Sequence, residues 1–213
     1  MTYQYPDAVI MIFCKAPVAG RVKTRLTTEF SAAQAMQLHI DLTERTLQLA
    51  TQNNLCPVQL WCTPSTDHPF FTASTQNYTV TLEQQQGIDL GERMHNAFCK
   101  ALDTFARAMI VGCDCPSLTE QDLEETLTAL NQENCCVLAP AEDGGYVLIG
   151  LNRQHPELFD NMPWGTALVL EQTRTRIKTH NLHLYELKEQ WDVDAPNDLR
   201  RYNALYQDRQ DAL

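Results

Sequence analysis

The chain has 213 residues, 44% of them hydrophobic, and carries a formal net charge of −11. That length and apolar content suit one domain spanning 1–213 with a full core, while the acidic balance excludes broad binding to nucleic acid or to an anionic membrane, both of which need a basic face. No run reaches transmembrane length and residues 1–7 lack a charged n-region followed by an apolar h-region, so a cytoplasmic location is expected.

Residues 9–13 form a short, β-branched run bounded by turn signals, the pattern of a strand buried on both faces. The loop leaving it sets four cations, Lys15, Arg21, Lys23 and Arg25, around Gly20. With backbone N–H groups near Gly20 and the Thr24 hydroxyl, they suit a di- or triphosphate. The alternative is a solvated basic loop paired with surface carboxylates. Ser31 then caps a helix whose small and apolar positions 32, 35, 36, 39, 40, 43, 47 and 50 share one face. Strands follow at 57–62 and 78–82, with a short helical turn at 68–71 between them.

Asp89 opens a second long helix, in which Leu90, Met94, Ala97, Phe98, Ala101, Leu102 and Phe105 recur at helical spacing, before a fourth strand at 108–111. Thr119 reads as the N-cap of a helix to about Leu130. Strands at 136–139 and 146–149 are joined by a loop holding Asp143, Gly144 and Gly145. A helix from Thr166 to about Lys178, a strand at 182–187 and a last helix opened by Pro196 complete the chain, and the polar tail beyond Tyr206 is expected to fray. Alternating strands and helices predict βαβ units and a largely parallel sheet. Eight cysteines include no C-x-x-C pair; Cys113, Cys115, Cys135 and Cys136 read as small hydrophobes at strand ends or interiors, with a metal or redox role as the alternative.

Three acidic motifs sit at strand ends. The turn around Asp114 follows the fourth strand, and a doubly wound order 3-2-1-4 makes strands one and four neighbours, so Asp114 and the basic loop share a crevice. Asp192 and Asp194 lie between the last strand and the last helix. Mg²⁺ or Mn²⁺ takes one or two carboxylates together with phosphate oxygens, a requirement that Asp114 with Asp194 meets; singly, each also reads as a turn or cap residue. Asp143 would hold substrate hydroxyls or act as a base where Gly144 and Gly145 let a backbone approach a ligand, and Asp-Gly is equally a hairpin turn.

These segments resemble a family. Lys15 to Leu26, Leu90-Gly91-Glu92-Arg93-Met94, Gly112 to Leu118, Pro140 to Gly150 and Asp192 to Leu199 are similar, in order, to motifs of bacterial proteins in the glycosyltransferase-A-like, nucleotide-diphospho-sugar transferase superfamily. The resemblance implies a Rossmann-like three-layer α/β/α sandwich with a mixed, mostly parallel sheet of about seven strands. It also implies nucleoside diphosphate sugars or nucleoside triphosphates as ligands, metal carboxylates at Asp114 and Asp194, and a phosphate-handling loop of Lys15, Gly20, Arg21, Lys23, Thr24 and Arg25. Two departures stand out: Cys113-Asp114-Cys115 replaces the D-x-D of glycosyltransferases, and the glycine-rich loop of molybdenum-cofactor guanylyltransferase is missing. The Lys-Thr-Arg-Leu ending is nearer to 2-phospho-L-lactate guanylyltransferase. The expectation is therefore a transferase dependent on Mg²⁺ or Mn²⁺, moving a sugar to an acceptor, with Lys23 stabilising the leaving group and Asp143 as base. Nucleotidyl transfer with release of pyrophosphate stands beside it, as does a non-catalytic nucleotide or sugar sensor.

Overall fold

The computed structural model describes residues 2–210, with side chains as far as Leu205. The tail expected to fray beyond Tyr206 lies outside these described residues, apart from the backbone at the end of the last helix. Seven strands, β1 (Ala8–Lys15), β2 (Val58–Thr63), β3 (Thr81–Gln84), β4 (Arg107–Gly112), β5 (Cys135–Pro140), β6 (Tyr146–Leu151) and β7 (His183–Glu186), form one sheet in the order β3-β2-β1-β4-β6-β5-β7. Only β6 runs antiparallel to its neighbours. The 3-2-1-4 half of this order is the one read from the sequence. The order reverses between β1 and β4, where Phe13 pairs with Gly112, and this opens a crevice at their carboxyl ends.

Strict alternation along β1 divides the core into two layers. Ala8, Ile10, Ile12 and Cys14 face α1 (Ala32–Thr51), α2 (Pro69–Asn77) and α4 (Glu120–Ala129); Val9 and Met11 face α3 (Leu90–Leu102) and α5 (Val169–Thr179). Phe71 of α2 and Phe98 of α3 anchor the two sides with full burial, each contributing about 1.5–3 kcal/mol. The result is a three-layer α/β/α sandwich, closed by α6 (Pro196–Gln210). Among the described residues, no helix is long and apolar enough to cross a membrane.

Several boundaries differ from the sequence reading, each for a local reason. Helix α2 replaces the expected short turn, because His68 accepts from the Phe70 N–H and Pro69 supplies a preformed first turn. Its C-cap is Tyr78, which displaces the third strand to β3. Helix α5 starts three residues later than expected, since the Thr166 hydroxyl donates to the Pro163 carbonyl and holds that stretch in a turn. Ser31 does cap α1, in a reciprocal box with Gln34. The buried face of α1, however, runs through 35, 38, 39, 42, 43, 46, 47 and 50. Leu38 and Leu42 turn inward because Leu26, Trp191 and Val193 wrap this flank of the helix.

Candidate functional site

The site forms where β1 and β4 end. Past β1 the chain turns at Gly20, which adopts φ +75, a conformation that favours glycine. The Arg21 N–H bonds the Val18 carbonyl at 2.9 Å, so it is used within the loop and does not serve as a phosphate donor as expected. Val22 and Leu26 anchor the loop to the core, and a single 3₁₀ turn at Thr24–Thr28 carries Arg25 back toward the crevice. Past β4, the Asp114 carbonyl accepts from the Val193 N–H at 3.1 Å. Ser117 donates to Gln190 at 2.7 Å and accepts from the Trp191 N–H at 3.2 Å. These bonds lay residues 190–193 against the β4 turn and thereby bring Asp194 beside Asp114, 80 residues away in sequence. Asp198 accepts from the N–H groups of Asp194 and Ala195 and so caps the start of α6.

Lys23 joins the two carboxylates. Its Nζ lies 2.8 Å from Asp114 Oδ2 and 3.0 Å from Asp194 Oδ1, and its side chain is only 3% exposed, against 37% and 39% for the aspartates. Arg25, largely in solvent, reaches Asp194 Oδ2 at 3.3 Å. Burial alone would lower the Lys23 pKa, but the charges of Asp114 and then Asp194 raise it above the usual lysine value. Reciprocally, burial would raise the Asp114 carboxyl, and Lys23 followed by His39 holds it well below the ordinary range.

His39, on the buried face of α1, was not singled out in the sequence. Its Nε2 donates to the Lys15 carbonyl at 2.8 Å and its Nδ1 lies 3.8 Å from Asp114 Oδ1. Burial opposes its charge, yet the nearby Asp114 carboxylate and neighbouring charges raise its pKa to about 9. The signal available was a lone histidine among the small and apolar positions of that helix. Beneath it, Cys14, His39 and Cys113 bring donor atoms within 4.8 Å of one another, all three buried.

Lys15, Arg21, Lys23, Thr24, Arg25, His39, Asp114 and Asp194 line one cavity of about 240 Å³. A larger one of about 520 Å³ shares Lys15 and Arg21 and adds Thr63, Pro64 and Arg93. Arg93 belongs to the Leu90–Met94 motif but was not taken as a site residue; its Nε donates to the Gly87 carbonyl at 3.1 Å. Asp143, Gly144 and Gly145 do not line the smaller cavity. Asp143 is exposed in the β5–β6 hairpin, where its Oδ1 accepts from the Gly145 N–H at 2.9 Å, the turn role weighed for it. Gly144, at φ +86, packs against the Ala167 backbone. Asp143 still acts on the site through charge: burial, Asp194 and Asp143 together raise the Asp192 pKa to about 6.

The donor set suits a hard cation. Two carboxylate oxygens, from Asp114 and Asp194, converge on one point beside a basic loop, as Mg²⁺ or Mn²⁺ requires. In this structure the Lys23 ammonium stands at that point.

Residues 46–166 match the model of a family described as uncharacterized protein conserved in bacteria (DUF2064). Among curated proteins, none matches the chain. Among solved structures, a proposed nucleotide-diphospho-sugar transferase from Desulfovibrio desulfuricans G20 is similar at 29% identity and a TM-score of 0.83, over 94% of this chain and 87% of that one. The 4-diphosphocytidyl-2C-methyl-D-erythritol synthase of Anaerococcus prevotii is similar at 11% identity and a TM-score of 0.57, over 95% and 99% of the two chains. A mannosyltransferase of Pyrobaculum calidifontis in complex with GDP-Man and Mn²⁺ is similar at 12% identity and a TM-score of 0.52, over 88% of this chain and 57% of that one. The last two likenesses concern the fold alone.

Proposed function

This chain belongs to the bacterial family DUF2064, and because that description carries no activity, we propose from the site that the protein is a transferase acting on a nucleoside diphosphate sugar. The carrying observation is the cluster of Asp114, Asp194 and buried Lys23 beside a four-cation loop, at the sheet's switch point. Lys15 and Arg21 line both cavities and would hold the diphosphate, leaving the larger cavity, with Arg93, for the nucleoside. Thr24 and the Gly20 turn complete the loop. Mg²⁺ or Mn²⁺, held by Asp114 and Asp194, would supply positive charge to the departing diphosphate.

In the transfer, an acceptor oxygen forms a bond to the sugar's anomeric carbon as the bond from that carbon to the phosphate oxygen breaks. The electron pair leaves with the nucleoside diphosphate, and the acceptor proton passes to a carboxylate. Asp143, next to Gly144 and Gly145 at the end of the sheet where β1 and β4 also finish, is our candidate for that base, and its effect on Asp192 supports its nearness to the crevice. We place the protein in the cytoplasm as a single domain over 1–213, a reading supported by eight free cysteines.

One feature favours nucleotidyl transfer as a second reading. Lys23 and Arg25 are paired with Asp114 and Asp194, but a metal that took those carboxylates would leave all four loop cations for phosphate, which suits a triphosphate better than a sugar-esterified diphosphate. Incubation with labelled nucleoside diphosphate sugars and triphosphates plus Mn²⁺ separates the two: free nucleoside diphosphate marks sugar transfer, and pyrophosphate marks nucleotidyl transfer. Asp143→Asn should slow sugar transfer by about a hundredfold or more while sparing nucleotide binding. Nucleotide binding without either product would replace both readings with a sensor.

A further inference from the structure

We infer that Lys23 is the resident occupant of the cation seat between Asp114 and Asp194, that a divalent cation enters only by displacing it, and that the displaced ammonium passes to the substrate phosphate. The inference deepens the transferase reading and rests on it for the last step only. An ion bridging the two oxygens that Nζ holds, Asp114 Oδ2 and Asp194 Oδ1, at about 2.1 Å would stand where the ammonium stands. Lys23 and a metal on those two oxygens are therefore mutually exclusive.

The geometry also supplies a route. The lysine side chain comes from the buried side, 3% exposed, while both aspartates keep more than a third of their surface in solvent. A cation can thus approach from the cavity while Lys23 holds the pair from behind. The Lys23 backbone sits at φ 48 and ψ 41, a left-handed conformation that strains a residue carrying a β-carbon. The loop is held in this shape against local strain, and the two ion pairs are the contacts that hold the Lys23 side chain there.

The charges bear on the exchange. With Lys23 seated, it faces both carboxylates together with Arg25 at Asp194 and His39 near Asp114; a divalent ion would take over the charge that Lys23 supplies and free an ammonium. Lys15 and Arg21 make no side-chain ion pair among the described residues, so an incoming phosphate has two cations waiting and a third delivered by the metal. Lys23 should then depress metal affinity in the absence of nucleotide and link the two ligands in its presence.

The test is titration of the full chain with Mn²⁺ alone, following free Mn²⁺ by electron paramagnetic resonance. Lys23→Met, which removes the competing charge, should bind Mn²⁺ about tenfold tighter than the parent; equal or weaker binding overturns the exchange. A second measurement needs no variant. Mn²⁺ should increase acetylation of Lys23 by an amine-reactive reagent, read by mass spectrometry, and labelling unchanged at saturating Mn²⁺ overturns it as well. Both readouts use the metal without nucleotide. If they succeed while no nucleotide binds, the exchange stands and the transferase reading falls; if product forms and both fail, the reverse holds.

Discussion

Replacing Asp114 by Asn keeps the shape of the β4 turn but takes one of two negative charges from a buried ammonium. Removing one partner of a fully buried pair costs about 3–5 kcal/mol. Here Asp194 remains 3.0 Å from Nζ and the Asp114 side chain is 37% exposed, so water and the second carboxylate reduce the loss to about 1–2 kcal/mol. For a chain of this size, that lowers the melting temperature by about 2–8 °C. Lys23→Met should also destabilise, since it removes the ammonium that bridges the two carboxylates and leaves only exposed Arg25 at Asp194 and His39 3.8 Å from Asp114 to offset them. The double variant should lose less than the sum, because neither residue then lacks a partner that the other had supplied. Urea unfolding at pH 7 in chelator measures all four corners of the cycle. Additivity within about 0.3–0.5 kcal/mol would refute the coupling. The pH dependence follows with a definite sign. The Asp114 carboxyl is depressed in the folded chain, so its contribution is present above the ordinary aspartate value of 3.8 and disappears as pH falls through the folded value. The parent and Asp114→Asn should therefore converge in acid.

His39 titrates in the opposite sense. Its pKa is raised from 6.5 to about 9, so its contribution is complete below pH 6.5 and is lost as pH rises through 9; stability of the parent should fall relative to His39→Gln between pH 6.5 and 10, and parallel pH curves would contradict this. At the hairpin, Gly144→Ala should cost about 1–3 kcal/mol in urea unfolding, because φ is +86 and a β-carbon would strike the Ala167 backbone. Gly145→Ala should cost less, since its nearest neighbour, at 3.2 Å, is the Asp143 side chain, which can move, and equal losses would argue against the packing role of Gly144.

What the sequence made legible is what depends on neighbours along the chain. The buried run of β1, the Ser31 and Thr119 caps, the Asp89 start of α3 and Pro196 at the head of α6 are all local, and all appear where the pattern put them. The strand order 3-2-1-4 was legible for a related reason, since successive βαβ units leave few alternatives. The face of α1 was misjudged at Leu38 and Leu42 because these pack with Trp191 and Val193, more than 130 residues downstream.

The site divides along the same line. Cations on the loop and carboxylates at strand ends were readable as residue types suited to phosphate and metal. Their mutual arrangement was not, because Lys23 meets Asp194 across 171 positions. That separation is bridged by uncharged groups, as the Val193 N–H bonds the Asp114 carbonyl and the Ser117 hydroxyl bonds the Gln190 side chain and the Trp191 N–H. The charge pair therefore depends on a clamp of hydrogen bonds whose pairing across the chain no single motif shows. The sequence reading gave Lys23 to phosphate and the two aspartates to metal as separate roles, whereas the folded chain puts the Lys23 ammonium in contact with both aspartates, and under the exchange proposed above each role depends on the other.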